Sequence, residues 1–177
     1  STGQFMLIVA GLTMVLTPGI AGAARKLGER IENRRASETD KEAAERYSDL
    51  EGHVVIAGFG RVGRMIASML DKEGIPYLAI DRNPEIASEA RRTGLPARFG
   101  DASRLEVLRA ARVDHASALV ITLGEEVATE NLTKSMREAA PHVPLYVRAR
   151  DTEQAERLEN AGATAAVPET VEASLQL

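Results

Sequence analysis

"HVVIAGFGRVGRMIASML", residues 53–70, joins three kinds of sequence in a fixed order. An apolar run from His53 to Ala57 stops at three glycines, Gly58, Gly60 and Gly63, and an apolar-periodic stretch follows at once. The parts implied are a buried strand, a turn whose backbone comes close to something, and an amphipathic helix. That combination cradles phosphate only inside a chain that repeats the strand–helix alternation, so the neighbouring sequence decides the reading.

From His53 onward the alternation continues. The runs "HVVIAG", "PYLAID", "PARFGD", "SALVITL", "PLYVRA" and "ATAAV" are separated by amphipathic stretches at 61–73, 84–93, 103–111, 125–139 and 151–161. Strands alternating with helices predict a parallel sheet, and near-continuous apolar strands are expected where helices cover both faces. The fold class is therefore α/β: a Rossmann-like, doubly wound parallel sheet of about six strands, preceded by an apolar helix and a linker helix. No internal repeat competes with this reading.

The segment ahead of the sheet differs in kind. Residues 5–24, "FMLIVAGLTMVLTPGIAGAA", carry no charge, and a helix of about twenty residues reaches about 30 Å, the thickness of a bilayer's hydrocarbon core. Residues 1–24 are expected to hold a transmembrane helix, with Pro18 and Gly19 tolerated as they are in membrane helices. The alternative is a buried helix ending at Thr17. Arg25, Lys26, Arg30, Arg34 and Arg35 follow, and the positive-inside rule puts that flank in the cytoplasm. No basic region precedes the apolar run and the chain opens at Ser1, which fits a piece of a longer protein better than a signal peptide. Residues 25–52 read as a charged linker in which 36–51 form a spacer helix, Leu50 being its only large aliphatic. Residues 53–177 then make up the α/β domain.

Composition excludes several functions. The chain has 177 residues, 44% of them hydrophobic, and a net charge of −4 with no long basic block near the glycines, which argues against RNA or DNA as a partner. Cysteine is absent, which removes disulfides and thiolate metal sites. His53, His115 and His142 are far apart and read as surface or capping histidines rather than metal ligands. Neither a GxSxG elbow nor an HExxH helix occurs, so an enzyme is not expected.

The candidate site follows from the glycines and the acids. Asp81 closes the second strand 18 residues beyond Gly63. Gly58 allows the tight turn, Gly60 lets the backbone approach a pyrophosphate, and Gly63 lets helix and strand pack closely. The loop Gly58, Phe59, Gly60, Arg61, Val62 and Gly63 is thus the expected cradle, with the N–H groups of the helix start facing phosphate. Asp81 can accept both hydroxyls of an adenosine ribose and would repel a 2′-phosphate, which favours NAD(H) or AMP over NADP; Arg82 beside it could instead accept that phosphate. A plain tight turn and a helix cap are the alternatives for the glycines and for Asp81. Gly100, Asp101, Ala102 and Ser103, in "FGDAS", fall on the same sheet edge, where Asp101 either meets adenine or ribose or caps the helix that starts near Arg104. Thr122 and Gly124 end the fourth strand across the switch point. Glu125 and Glu126 read as helix caps rather than catalysts.

Taken in order, "IAGFGRVG", "AIDRNPE", "RFGDAS", "VITLGEEVATEN" and "YVRARD" resemble the RCK, KTN or TrkA-N nucleotide-binding regulatory domain of potassium channels and transporters, over about 53–175. "QFMLIVAGLTMVLTPGIAGAA" is similar to the last membrane helix of Kef-type cation/proton antiporters. The resemblance implies a dimer that binds NAD(H) or AMP and gates proton-coupled potassium efflux, on the cytoplasmic face of a bacterial inner membrane. Its partners would be the transporter's own membrane domain, a second copy of the chain and, in some members, a glutathione-type anionic effector. The resemblance also implies that Gly58, Gly60, Arg61, Asp81, Asp101 and Thr122 belong to the site, and that Arg148 or Arg150 approaches the subunit interface. A potassium-channel gating domain and the cofactor half of an NAD-dependent dehydrogenase are the alternatives; the latter requires a substrate domain with a proton-transfer residue.

Overall fold

The computed structural model describes residues 50–169, so the expectations for residues 1–24 and for most of the 25–52 linker lie outside the described residues. Each expected strand forms: β1 Val54–Ala57, β2 Tyr77–Asp81, β3 Ala97–Phe99, β4 Ala118–Ile121, β5 Leu145–Ala149 and β6 Ala165–Pro168. The connecting helices are α1 Arg61–Lys72, α2 Pro84–Arg92, α3 Leu105–Ala110, α4 Glu126–Ala139 and α5 Thr152–Asn160, with a 3-10 turn at Val113–His115. Every strand pairing is parallel, in the order β3-β2-β1-β4-β5-β6. The chain reverses its direction of travel across the sheet at β1 and β4, which makes the carboxyl ends of these two strands the switch point.

Local chemistry sets the helix starts. At α2 the Asn83 side chain accepts from the Glu85 N–H at 2.9 Å, and Pro84 occupies the first helical position, where its missing N–H costs nothing. At α5 Asp151 accepts from the Gln154 N–H at 2.8 Å. Helix α1 lacks such a cap: it begins directly after Gly60, with no side-chain cap and no acid in its first turn.

Alternate residues of β1 feed two cores. Val55 and Ala57 join Leu78, Ile80, Leu119, Ile121 and Met136 on one face, while Val54 and Ile56 join Phe59, Ala67 and Ala79 on the other. Burial on both faces holds for β1 and β2 but not for the far side of the sheet. In β5 Tyr146 is exposed between buried Leu145 and Val147, and in β6 Val167 is exposed. The expectation of apolar strands covered on both faces therefore fails for β5 and β6 among the described residues. There Val120, Tyr146, Val147 and Val167 line an open apolar groove together with Met65 and Met69 of α1.

Two smaller expectations also change. Leu50 is partly buried and packs against the larger core cluster, and Glu51 pairs with Arg112 at 3.6 Å, so the end of the linker is fastened to the domain. His53 is fully buried rather than superficial. Its Nε2–H donates to the Ala111 carbonyl at 3.0 Å while Nδ1 has no partner, and burial lowers the imidazole pKa below its ordinary value.

Candidate functional site: a cleft at the carboxyl edge of the sheet

Three backbone bonds carry the ladder past the strand ends and fix the floor of the site. The Gly58 N–H donates to Ile80 O at 2.8 Å, the Thr122 N–H to Ala57 O at 2.8 Å, and the Gly100 N–H to Asp81 O at 2.9 Å. Above this floor lies a cleft of about 200 Å³, lined by Gly58, Gly60, Asp81, Arg82, Asp101, Ala102 and Thr122, among others.

The three glycines differ in what requires them. Gly58 has φ +101, a conformation costly to any side chain, and a Cβ there would stand 2.8 Å from Thr122 Oγ1. A Cβ on Gly63 would collide with the Gly58 carbonyl oxygen, so Gly63 permits the close contact between α1 and the end of β1. Gly60 is required by neither cause. Its backbone is ordinary extended chain, φ −73 and ψ −156, and a Cβ would meet nothing within 4 Å. The residue lines the cleft, so the volume that its missing side chain leaves is cleft volume.

The first turn of α1 completes this wall. The Arg64 N–H reaches Gly60 O at 3.0 Å, which leaves the N–H groups ahead of it outside the helical ladder with no side chain to cap them. The other four helices each carry a glutamate in the first turn, Glu85, Glu106, Glu126 and Glu153. α1 instead begins with the exposed Arg61, so the positive end of its dipole is uncompensated. Phe59 and Val62 do not line the cleft: the Phe59 ring is fully buried in the smaller core cluster, and Val62 faces the apolar groove beside α1. Gly100 sits beneath it, where a Cβ would press on Val107 at 2.9 Å.

Asp81 does more than cap a helix. One carboxylate oxygen accepts from the Phe59 N–H at 2.6 Å and the other from the Asn83 N–H at 2.7 Å, so the side chain holds the glycine loop against β2. Each oxygen keeps a lone pair for a ligand hydroxyl. Asp101 does not cap α3 either: its Oδ1 accepts from the Ser103 N–H and Oγ in a local turn, at 3.1 and 2.7 Å, while Arg104 occupies the cap position. The Thr122 hydroxyl donates to Gly58 O at 2.9 Å, pinning β4 to the glycine turn. Sequence reading placed Ser103 on this edge but missed its bonds to Asp101, although the two-residue spacing is a recognisable turn signal. It also missed Leu123 and Ala128, which join the lining through their place at the β4–α4 junction.

The acids after β4 form ion pairs instead of caps. Glu125 sits at the cap position of α4 without bonding a backbone N–H there, and its carboxylate meets Arg82 at 2.6 Å. That hydrogen bond is the main reason the Arg82 pKa rises further above its ordinary value. Glu126 pairs with Arg157 and, at 3.4 Å, with Arg150. Arg148 pairs with Glu169 at 2.8 Å. The described residues contain no group of three or more His, Asp or Glu side chains placed to hold a metal ion.

The stretch that carries the strand, the glycine turn, the uncapped helix and the acid closing the next strand lies within residues 54–169, which match the TrkA-N domain profile. The chain belongs to the TrkA-N family. Its TrkA-N domain and the stretch before it are 38% identical over 181 residues to the chloroplastic K(+) efflux antiporter 2 of Arabidopsis thaliana; the match covers 98% of this chain and 15% of that protein. A glutathione-regulated potassium-efflux system protein of Haemophilus influenzae is 32% identical over 166 residues, which is 94% of this chain and 27% of that one. Among solved structures, the Kef C-terminal domain of Shewanella denitrificans in its AMP-bound form superposes with a TM-score of 0.62 at 25% identity. That superposition covers 70% of this chain and 75% of the other. The chain thus spans between about a seventh and about a quarter of the length of these two relatives. Among the described residues of the TrkA-N domain, no helix is long and apolar enough to cross a membrane.

Proposed function

We propose that residues 54–169 are the nucleotide-sensing regulatory domain of a Kef-type potassium/proton antiporter, and that AMP or NAD(H) binds in the carboxyl-edge cleft and gates cation transport. The observation that carries this reading is Gly60: neither backbone strain nor a protein neighbour forbids a side chain there, yet the space beside it opens on the uncapped start of α1. A phosphate in that space meets free N–H donors and the positive end of the helix dipole. The ribose then falls to Asp81, already held at both oxygens, and adenine to the Asp101–Ala102 side of the cleft. NADP fits poorly, because the Asp81 carboxylate that holds the ribose would repel a 2′-phosphate beside it.

The role is regulation, not catalysis. Nucleotide shifts the domain between two states only if it binds one of them better, and the membrane domain of the same transporter reads the difference. A homodimer on the cytoplasmic side of a bacterial inner membrane is the assembly we favour. Arg148 and Arg150 serve a partner or a glutathione-type effector there only by leaving Glu169, Glu126 and Asp151, which hold them within the chain. Calorimetry of the full chain with AMP and NADH tests the binding step. Potassium flux through the complete transporter carrying Gly60→Val tests the output. Absence of binding by either nucleotide would overturn the proposal, as would wild-type regulation in a variant that no longer binds.

A further inference from the structure

The lining of the cleft is poorly charged for its proposed ligand. It holds three carboxylates, Asp81, Asp101 and Glu125, against a single guanidinium, Arg82. That guanidinium already meets an anion of the chain, its NH1 lying 2.6 Å from Glu125 Oε1. The two side chains come from opposite walls: Arg82 follows the last residue of β2, Glu125 precedes the first residue of α4, and β2 and β4 flank β1 on either side. Strands two apart in a sheet are separated by about 10 Å, so the pair reaches across the cleft above the turn that leaves β1.

From this arrangement we infer that Glu125 is a built-in competitor for Arg82, and that the cleft discriminates among nucleotides by making ligand phosphate displace the carboxylate. The inference rests on the nucleotide reading of the cleft and names its specificity device. Within the chain Arg82 is neutralised by one of the chain's own anions. A phosphate at the start of α1 offers Arg82 a second anion and brings a like charge towards Glu125. The exchange is favourable only when Arg82 turns to the phosphate and Glu125 withdraws into solvent. Both side chains are well exposed, 69% and 60%, so neither is locked by packing and the exchange needs no movement of the core. Glu125 is the competing element that specificity by difference requires, and it acts through Arg82 on phosphorylated ligands while sparing an uncharged nucleoside.

The position of Glu125 gives the exchange an outlet. It adjoins Glu126, which is held by Arg150 and Arg157 at the start of α4. A carboxylate released at 125 raises the negative charge beside that cluster, so occupancy of the cleft is felt at the β5–α5 side of the same edge.

The test is a ligand-by-mutant cycle on the full chain, with calorimetry of adenosine and AMP against wild type, Glu125→Gln, Arg82→Gln and the double variant. Glu125→Gln should tighten AMP by up to about fivefold, the ceiling set by an exposed ion pair, and leave adenosine unchanged. Arg82→Gln should weaken AMP, and the gain from Glu125→Gln should vanish in its background. A gain that persists without Arg82 would mean that Glu125 acts only as background negative charge, and would overturn the inference. Equal gains for adenosine and AMP, or no gain, would overturn it too. Wild-type chain that binds neither ligand would instead defeat the nucleotide reading, and the inference with it. Both positions are exposed, and melting of each variant within a few degrees of wild type keeps the cycle interpretable.

Discussion

Replacing Gly60 by valine separates the demands of the fold from those of the ligand. The residue has a negative φ, −73, and open space around the Cβ position, so valine meets neither positive-φ strain nor a protein neighbour. Stability should change by no more than about 1 kcal/mol, a shift of about 4 °C or less for a chain of this size. Binding should respond far more strongly, because the new side chain stands where phosphate must come to reach the α1 N–H groups. Losing one hydrogen bond to a charged group, worth about 1.5–3 kcal/mol, weakens affinity about tenfold to hundredfold, and losing two abolishes binding at practical concentrations. Gly58→Ala is the contrast. With φ +101 and a Cβ 2.8 Å from Thr122 Oγ1, it should cost about 1–3 kcal/mol in strain and melt several degrees lower. Calorimetry with AMP and NADH, beside thermal melting of both variants, reads the two effects separately. A folded Gly60→Val protein that binds AMP within about threefold of wild type would refute the placement of phosphate over Gly60.

Other residues give further tests. Asp81→Ala should weaken AMP and NADH alike by about tenfold to hundredfold, and should also lower the melting temperature, because the Phe59 and Asn83 N–H groups lose their acceptors; unchanged affinity by calorimetry would remove Asp81 from the site. His53 has a pKa below its ordinary 6.5 when folded, so the stability it contributes is present in full above about pH 6.5 and is lost as pH falls from there towards the folded value. Denaturant melts between pH 7.5 and 5 should show the decline in wild type and a flatter profile in His53→Gln, and parallel profiles would contradict the assignment. Arg137→Lys should destabilise by about 2–3 kcal/mol in urea melts: Nε donates to Gly162 O at 2.8 Å and one terminal nitrogen to Pro141 O at 2.6 Å, a fork that an ammonium cannot span. A loss under 0.5 kcal/mol would show that the fork is not a structural tie.

How far the sequence could be read depended on whether a signal was local. Every strand and helix between His53 and Pro168 was legible to within about two residues, because each apolar run and each amphipathic stretch is punctuated by glycine, proline or an acid. The glycines were legible one by one in role, Gly58 for the turn and Gly63 for close packing, but not in the atoms that impose those roles. That Gly58 needs positive φ and Gly63 a close approach follows from atoms of Thr122 and Gly58 itself, and only folding brings Thr122 to this turn. The uncovered face of β5 and β6 was illegible for a related reason: "LYVRA" reads as an apolar run, yet which of its residues meets a helix depends on what lies across the sheet.

Asp81 and Glu125 carry the same lesson into the chemistry of the site. An acid at the end of the second strand is enough to suggest a ribose contact, but the sequence is silent on how that acid is held. Its two oxygens are anchored by N–H groups from the glycine loop and from the start of the next segment, so the contact and the loop are one unit. Removing the carboxylate therefore loosens the phosphate cradle as well as the ribose hold, and the two losses should not add independently. Glu125 inverts the pattern. It stands where a capping acid is expected, and the charge that would favour α4 is drawn off to Arg82 on the opposite wall of the cleft. A helix end that gives up its cap to close an ion pair over a ligand cleft gains little stability from an exposed bridge. The arrangement makes better sense as control over what enters than as a brace for the fold.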